Sequence, residues 1–154
     1  MVTISVVIPS RNDGPMLAVC LRALARQTRA ADEVIVVDGG STDHTAAVCA
    51  AAGVLRIASD RPGIPAATAR GFDAAQGDLI ARLDADSVPA PDWLERVEAD
   101  LVQAGPLSAV TGPGEFYGGH PVICWMARTL YIGGYFRVVG LIGPPLAVQR
   151  LCDS

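Results

Sequence analysis

Across residues 1–110, short apolar runs alternate with longer segments in which apolar residues recur every third or fourth position. "ISVVIPS" (4–10) is an apolar run closed by a serine after proline, and "GPMLAVCLRALARQ" (14–27) carries Leu17, Leu21 and Leu24 at helical spacing. "EVIVVDGG" (33–40) is a second β-branched run, stopped by two glycines. Ser41 and Asp43 are placed to cap and charge the start of a helix that ends at Gly53. "VLRIAS" (54–59) predicts a weaker third strand, followed by a Pro-Gly loop and an alanine-rich segment at 65–76. "DLIARLDAD" (78–86) predicts the fourth strand over 78–84. "DWLERVEADLVQAG" (92–105) predicts a helix with Trp93, Val97 and Leu101 on one face and Asp92 and Glu95 spaced as a capping box. "SAVTGPGEF" (108–116) predicts a fifth strand.

Strands separated by single helices imply right-handed βαβ units and a parallel sheet covered on both faces. The expected fold class is therefore α/β, a doubly wound and mostly parallel sheet, with the first and fourth strands adjacent at its centre. Beyond residue 117 the pattern changes. "PVICWMARTLYIGGYFRVVGLIGPPLAV" (121–148) is apolar, yet Arg128 and Arg137 interrupt it. After them the longest uncharged stretch is 138–149, short of the roughly 20 residues that span a bilayer. Three placements stay open for this stretch: buried core, a segment facing a membrane surface or a partner, and a transmembrane span.

Composition narrows the chemistry. Half of the 154 residues are apolar and the net charge is −4, which fits a folded domain and offers no footprint for nucleic acid. All 12 cationic side chains are arginine, so a P-loop lysine and a Schiff-base lysine are both excluded. Four cysteines show no C-x-x-C spacing; Cys20 and Cys49 fall among apolar helical residues and are expected as reduced core residues of a cytoplasmic protein. The N-terminus lacks a basic segment and is expected to be a strand rather than a leader.

In a parallel sheet all strands end on one edge, and ligands bind in the crevice outside those ends. Three polar clusters sit there: "PSRND" (9–13), Asp38 with "GGSTD", and "DAD" (84–86). A D-x-D tripeptide alone means little, since about one is expected by chance in a chain with 12 aspartates. Its position gives it weight. Period-two geometry in an extended chain would point Asp84 and Asp86 the same way, and two carboxylates held together call for a cation. An all-oxygen site suits Mg²⁺ or Mn²⁺ with positions left open for phosphate oxygens. Asp38, beside two glycines, is placed to accept hydrogen bonds from a ribose or a base. Plainer readings also exist: a turn residue for Asp38, helix caps for Asp84 and Asp86, and a solvated side chain for Arg11.

"VVIPSRND", "VIVVDGGSTDHT" and "GFDAAQGDLIARLDADSVPAPDWL" together resemble the nucleotide-sugar-binding half of a family 2 glycosyltransferase with the GT-A fold, over about residues 3–116. That resemblance implies a nucleoside contact from Pro9, Ser10, Arg11 and Asp38. It implies that Asp86 reaches the divalent metal on the diphosphate, with Asp84 nearer the ribose. A nucleotide contact from Arg70 is implied as well, displaced by a residue or two from the family's position, because "ATARGF" departs from the family's Ala-Arg-Asn. Residues 1–116 would be the nucleotide-sugar-binding domain, and 117–154 the start of an acceptor-side region.

The implied reaction is displacement of a nucleoside diphosphate from a UDP- or GDP-sugar by an acceptor hydroxyl, on a glycan or a lipid-linked acceptor, with inversion. In the family an acidic base follows a stretch like "LIGPPLAVQR" (141–150). Only Asp153 lies beyond that stretch here, in a context that does not match, so no catalytic residue is assigned. The chain is expected to be C-terminally truncated, to bind donor better than it turns over, and to contact a membrane surface through its apolar tail. The alternatives are a non-catalytic nucleotide-sugar-binding fragment and a nucleotidyltransferase.

Overall fold

The structure, a computed structural model, describes residues 1–105 and 108–111. Its elements run β1 (Ile4–Ser10), α1 (Gly14–Leu24), β2 (Glu33–Asp38), α2 (Thr45–Ala52), β3 (Leu55–Ala58), α3 (Ile64–Ala74), β4 (Leu79–Arg82) and α4 (Trp93–Ala104). The four strands form one parallel sheet in the order β3-β2-β1-β4: β1 and β4 are neighbours as expected, but among the described residues the centre is β1 and β2, and β4 lies at an edge. Contacts divide the chain into two compact units, Met1–Glu98 and Ala99–Ser154. The first holds the whole sheet. In the second, the end of α4 is followed by residues 108–111 without regular structure, where Ser108 Oγ donates to the carbonyl of Ala104. The rest of the expected fifth strand, and the boundary expected at 116, lie outside the described residues.

Alternation along β1 and β2 sorts their side chains onto two faces. Ile4, Val6, Ile8 and Val36 join Leu17, Cys20, Leu21 and Leu24 of α1, Cys49 of α2 and Leu94 of α4 in one buried cluster. Val7, Ile35 and Val37 face the other way and pack with Ala67 of α3. Helices therefore cover both faces, and every residue of β1 is buried. The α3 side is the thinner layer, because Gly71 lets the helix lie directly on the sheet. A Cβ there would stand 2.3 Å from Cγ1 of Val7 and 2.9 Å from Cγ2 of Val37.

Several local expectations change. The capping box on α4 does not form: Glu95 Oε2 accepts from the Thr28 hydroxyl (2.8 Å), and Asp92 pairs instead with Arg96. Ser41 does not cap α2, which begins at Thr45; its hydroxyl accepts from the backbone of Asn12 instead. Asp43 does serve the first turn, accepting from the Thr45 N–H (3.0 Å) and hydroxyl (2.6 Å). On α4 it is Leu94 that is fully buried, with Trp93 and Val97 partly so.

Cys20 and Cys49 are free and buried. Burial, and then the charge of Asp86, pushes the Cys20 thiol up to about 12. A thiolate is the reactive form. Native protein at pH 8 should therefore leave the Cys20 and Cys49 peptides unlabelled by iodoacetamide, and denatured protein should label both. Labelling of Cys20 in the native state, read by peptide mass spectrometry, would contradict this packing.

Candidate functional site

The strand registers bring the polar clusters to one edge. Ser10 pairs with Asp38, Asp38 pairs with Ala58, and Val7 pairs with Arg82. The Leu83 N–H then donates to the carbonyl of Val7 (3.1 Å), which carries Asp84 past the end of β4 beside the last residues of β1. Thirty to seventy residues of sequence separation thus disappear at the carboxyl edge of the sheet.

Pro9 is buried in register with Val37; lacking an N–H, it donates nothing to the ladder. Ser10 is 7% exposed, and its hydroxyl is enclosed with no hydrogen-bond partner among the described residues. A buried, unpaired hydroxyl costs about 1–3 kcal/mol; Asp100 Oδ2 on α4 is the other such atom among the described residues. Arg11 is exposed, but its stem lies over Gly39, whose absent Cβ would be 3.4 Å from Cβ and 3.5 Å from Cδ of Arg11. The side chain therefore rests beside the Asp38 turn instead of ranging freely.

Asp38 is 5% exposed and engaged on both oxygens. Oδ1 accepts from the Ser41 N–H three residues on (2.8 Å), and Oδ2 pairs with Arg56 of β3 (3.2 Å). The turn reading and the ligand reading are compatible, because a carboxylate has about four acceptor positions.

The D-x-D segment is not extended. β4 stops at Arg82, and Asp84 to Ser87 form a turn in which the Ser87 N–H donates to the Asp84 carbonyl (3.0 Å). Period-two geometry therefore does not govern the two carboxylates. What places both at the surface is the residue between them: Ala85 is buried in the core, while Asp84 and Asp86 are exposed on either side. Asp84 Oδ1 pairs with Arg82 at 2.5 Å. Asp86 lies near Asp13, whose carboxyl is pushed above its usual range by burial and then by the charges of Asp86 and Asp43. Arg70 stands on α3, paired with Asp60 of the loop after β3 at 3.8 Å, both exposed.

Asn12 and Gly14 escape the sequence reading. Asn12 adopts a left-handed backbone (φ +54°) and bonds across to Ser41 and Thr42. The signal is present in "RNDG", since asparagine is among the residues that tolerate that conformation.

No group of three or more His, Cys, Asp or Glu side chains among the described residues is arranged to hold a metal by itself. Two exposed carboxylates in one turn nevertheless suit a hard cation whose remaining positions are filled by phosphate oxygens.

The profile of the family described as glycosyl transferase family 2 matches residues 5–148. The chain belongs to that family. This family 2 chain is 32% identical over 121 residues to the glycosyltransferase AglE of Haloferax volcanii, covering 73% of itself and 40% of that protein. It is 34% identical over 134 residues to an uncharacterized glycosyltransferase of Mycobacterium bovis, covering 82% and 60%. Among solved structures it resembles glucosyl-3-phosphoglycerate synthase of Mycobacterium tuberculosis in complex with Mn²⁺, uridine diphosphate and glucosyl-3-phosphoglycerate. That match has a TM-score of 0.65 and 25% identity, over 94% of this chain and 54% of the other. The fold is GT-A, and the family 2 chain spans from two fifths to three fifths of the length of these curated relatives. No helix among the described residues is long and apolar enough to cross a membrane.

Proposed function

We propose that residues 1–116 bind a nucleoside-diphosphate sugar for inverting transfer to an acceptor hydroxyl, with a divalent metal, Mn²⁺ or Mg²⁺, at the Asp84–Asp86 turn. Residues 117–154 begin the acceptor side and approach the inner face of a membrane. The observation that carries this reading is the convergence at one sheet edge of the unpaired Ser10 hydroxyl, the Asp38 carboxylate and the two aspartates of the turn. Mn²⁺ and uridine diphosphate in the related synthase complex support it. Free, buried Cys20 and Cys49 fit a reducing compartment.

Each residue then has a task. Ser10 gains a partner when the nucleoside arrives. Asp38 accepts hydrogen bonds from base or ribose donors while Arg56 and Ser41 hold it in place. Arg11 lies beside that turn to meet nucleotide oxygens. Asp84 exchanges Arg82 for the ribose, and Asp86 is the carboxylate that would hold the metal; Arg70 contacts the nucleotide from α3 after leaving Asp60. A divalent cation, when bound, neutralises charge growing on the departing diphosphate. An acceptor proton needs a carboxylate base, and none is assigned among the described residues.

Calorimetry with UDP and GDP, with and without Mn²⁺, tests the binding half, and nucleotide release from UDP- and GDP-sugars tests turnover. Metal-dependent binding of one nucleotide is expected; binding of neither, with the protein shown folded, would refute the reading. Asp38→Asn should then weaken nucleotide affinity by about 1.5–3 kcal/mol, the range for a hydrogen bond to a charged group. Equal calorimetric affinities for the mutant and the wild type would leave Asp38 with its turn role alone.

A further inference from the structure

Two loops meet at the carboxyl edge, 11–13 after β1 and 39–44 after β2, and they are bound to each other more than to their own strands. The Asn12 N–H donates to Ser41 Oγ (2.8 Å), and Asn12 Oδ1 accepts from the Thr42 N–H (2.8 Å) and its hydroxyl (3.4 Å). The Gly14 N–H donates to Asp43 Oδ2 (2.8 Å). The approach is close: a Cβ on Gly14 would stand 3.1 Å from Asp43 Oδ2 and 3.2 Å from the Thr45 nitrogen. Asn12 makes these bonds from a left-handed backbone (φ +54°).

The connection continues to the site. Ser41, which receives the Asn12 N–H on its hydroxyl, passes its own N–H to Oδ1 of Asp38. Arg11, the neighbour of Asn12, lies over Gly39, the neighbour of Asp38. One residue on the first loop thus sets where both side chains of the nucleoside contact stand.

We propose that Asn12 is a positioning residue, which locks the two loops into one unit and so fixes Arg11 and Asp38 relative to each other before donor arrives. The inference rests on the donor-binding reading above. Pre-ordering of this kind raises affinity because the loops need not be ordered at the moment of binding.

The test is a pair of measurements on Asn12→Gly, which keeps the left-handed backbone and the backbone bond to Ser41, loosens the chain there, and removes the side-chain acceptor of Thr42. Hydrogen exchange of unliganded protein should speed by about fivefold to tenfold at residues 41–43, the size expected for one lost neutral hydrogen bond, with β2 unchanged. Affinity for the nucleoside diphosphate that the wild type binds with Mn²⁺ should fall by a similar factor, at a temperature where both proteins are fully folded. Asn12→Asp keeps an acceptor at the same place and should restore the slow exchange at residues 41–43. Unchanged exchange at 41–43 overturns the locking. Faster exchange with unchanged affinity overturns the positioning role and leaves a loop tie only. A wild type that binds no nucleotide overturns the donor-binding reading itself, and the positioning role falls with it, whatever the exchange shows.

Discussion

Replacing Gly71 with alanine should destabilise the first unit by up to about 2 kcal/mol, although alanine is the better helix former. The gain in helix propensity is about 1 kcal/mol. Against it, the added methyl would sit 2.3 Å from Val7 Cγ1 and 2.9 Å from Val37 Cγ2. Both valines are stiff at χ1 and fully buried in the sheet, so neither can turn aside. Overfilling a packed core costs about 1–3 kcal/mol and occasionally more. Either α3 lifts from the sheet or the strands shift. A fall of several degrees in melting temperature is the expected readout; an unchanged or raised value would mean that α3 is not seated on Val7 and Val37.

The second large effect belongs to the metal. Asp86→Ala should remove the Mn²⁺ dependence of nucleotide binding, leaving a residual affinity the same with and without the ion. Asp84 alone cannot substitute for it, since no group of three or more His, Cys, Asp or Glu side chains is gathered to hold the ion among the described residues. Loss of one charged contact is worth about 1.5–3 kcal/mol, roughly tenfold to a hundredfold in affinity. Asp84→Ala should weaken nucleotide binding with the metal dependence retained. Calorimetry that finds Asp86→Ala as responsive to Mn²⁺ as the wild type would place the metal elsewhere. Asp86→Ala carries an independent sign as well: removing its charge should lower the Asp13 carboxyl toward its usual range, which a titration followed by NMR would detect.

The sheet is legible in the sequence because its two inner strands are nearly uninterrupted apolar runs. "ISVVIPS" and "EVIVVD" end where the structure ends them, at Ser10 and Asp38. The outer strands are less so. β3 and β4 are four residues each, shorter than 54–59 and 78–84, because only one side of each is paired among the described residues. The D-x-D segment defeats a periodicity argument for a different reason. Its apolar approach looks like continuing strand, but Ala85 is small enough to tuck into the core, and the chain turns around it. Glu95 shows the same limit on α4, where the spacing of a cap is present and a tertiary partner, Thr28, takes the side chain. The candidate site was found through topology, since strand ends are forced onto one edge. The links between its loops were not, because a bond from Asn12 to Thr42 leaves no mark on composition or period.

The strand order has a consequence for synthesis. β1 emerges first yet pairs on both sides, with β2 and with β4. Its first partner follows within thirty residues, whereas its second begins only at Leu79. Until then a largely apolar strand has one row of N–H and C=O groups open, which is the kind of edge that recruits other chains. Residues 11–78 therefore emerge while the centre of the sheet is still an edge, and a nascent chain of this protein depends on whatever shields that edge until β4 closes it.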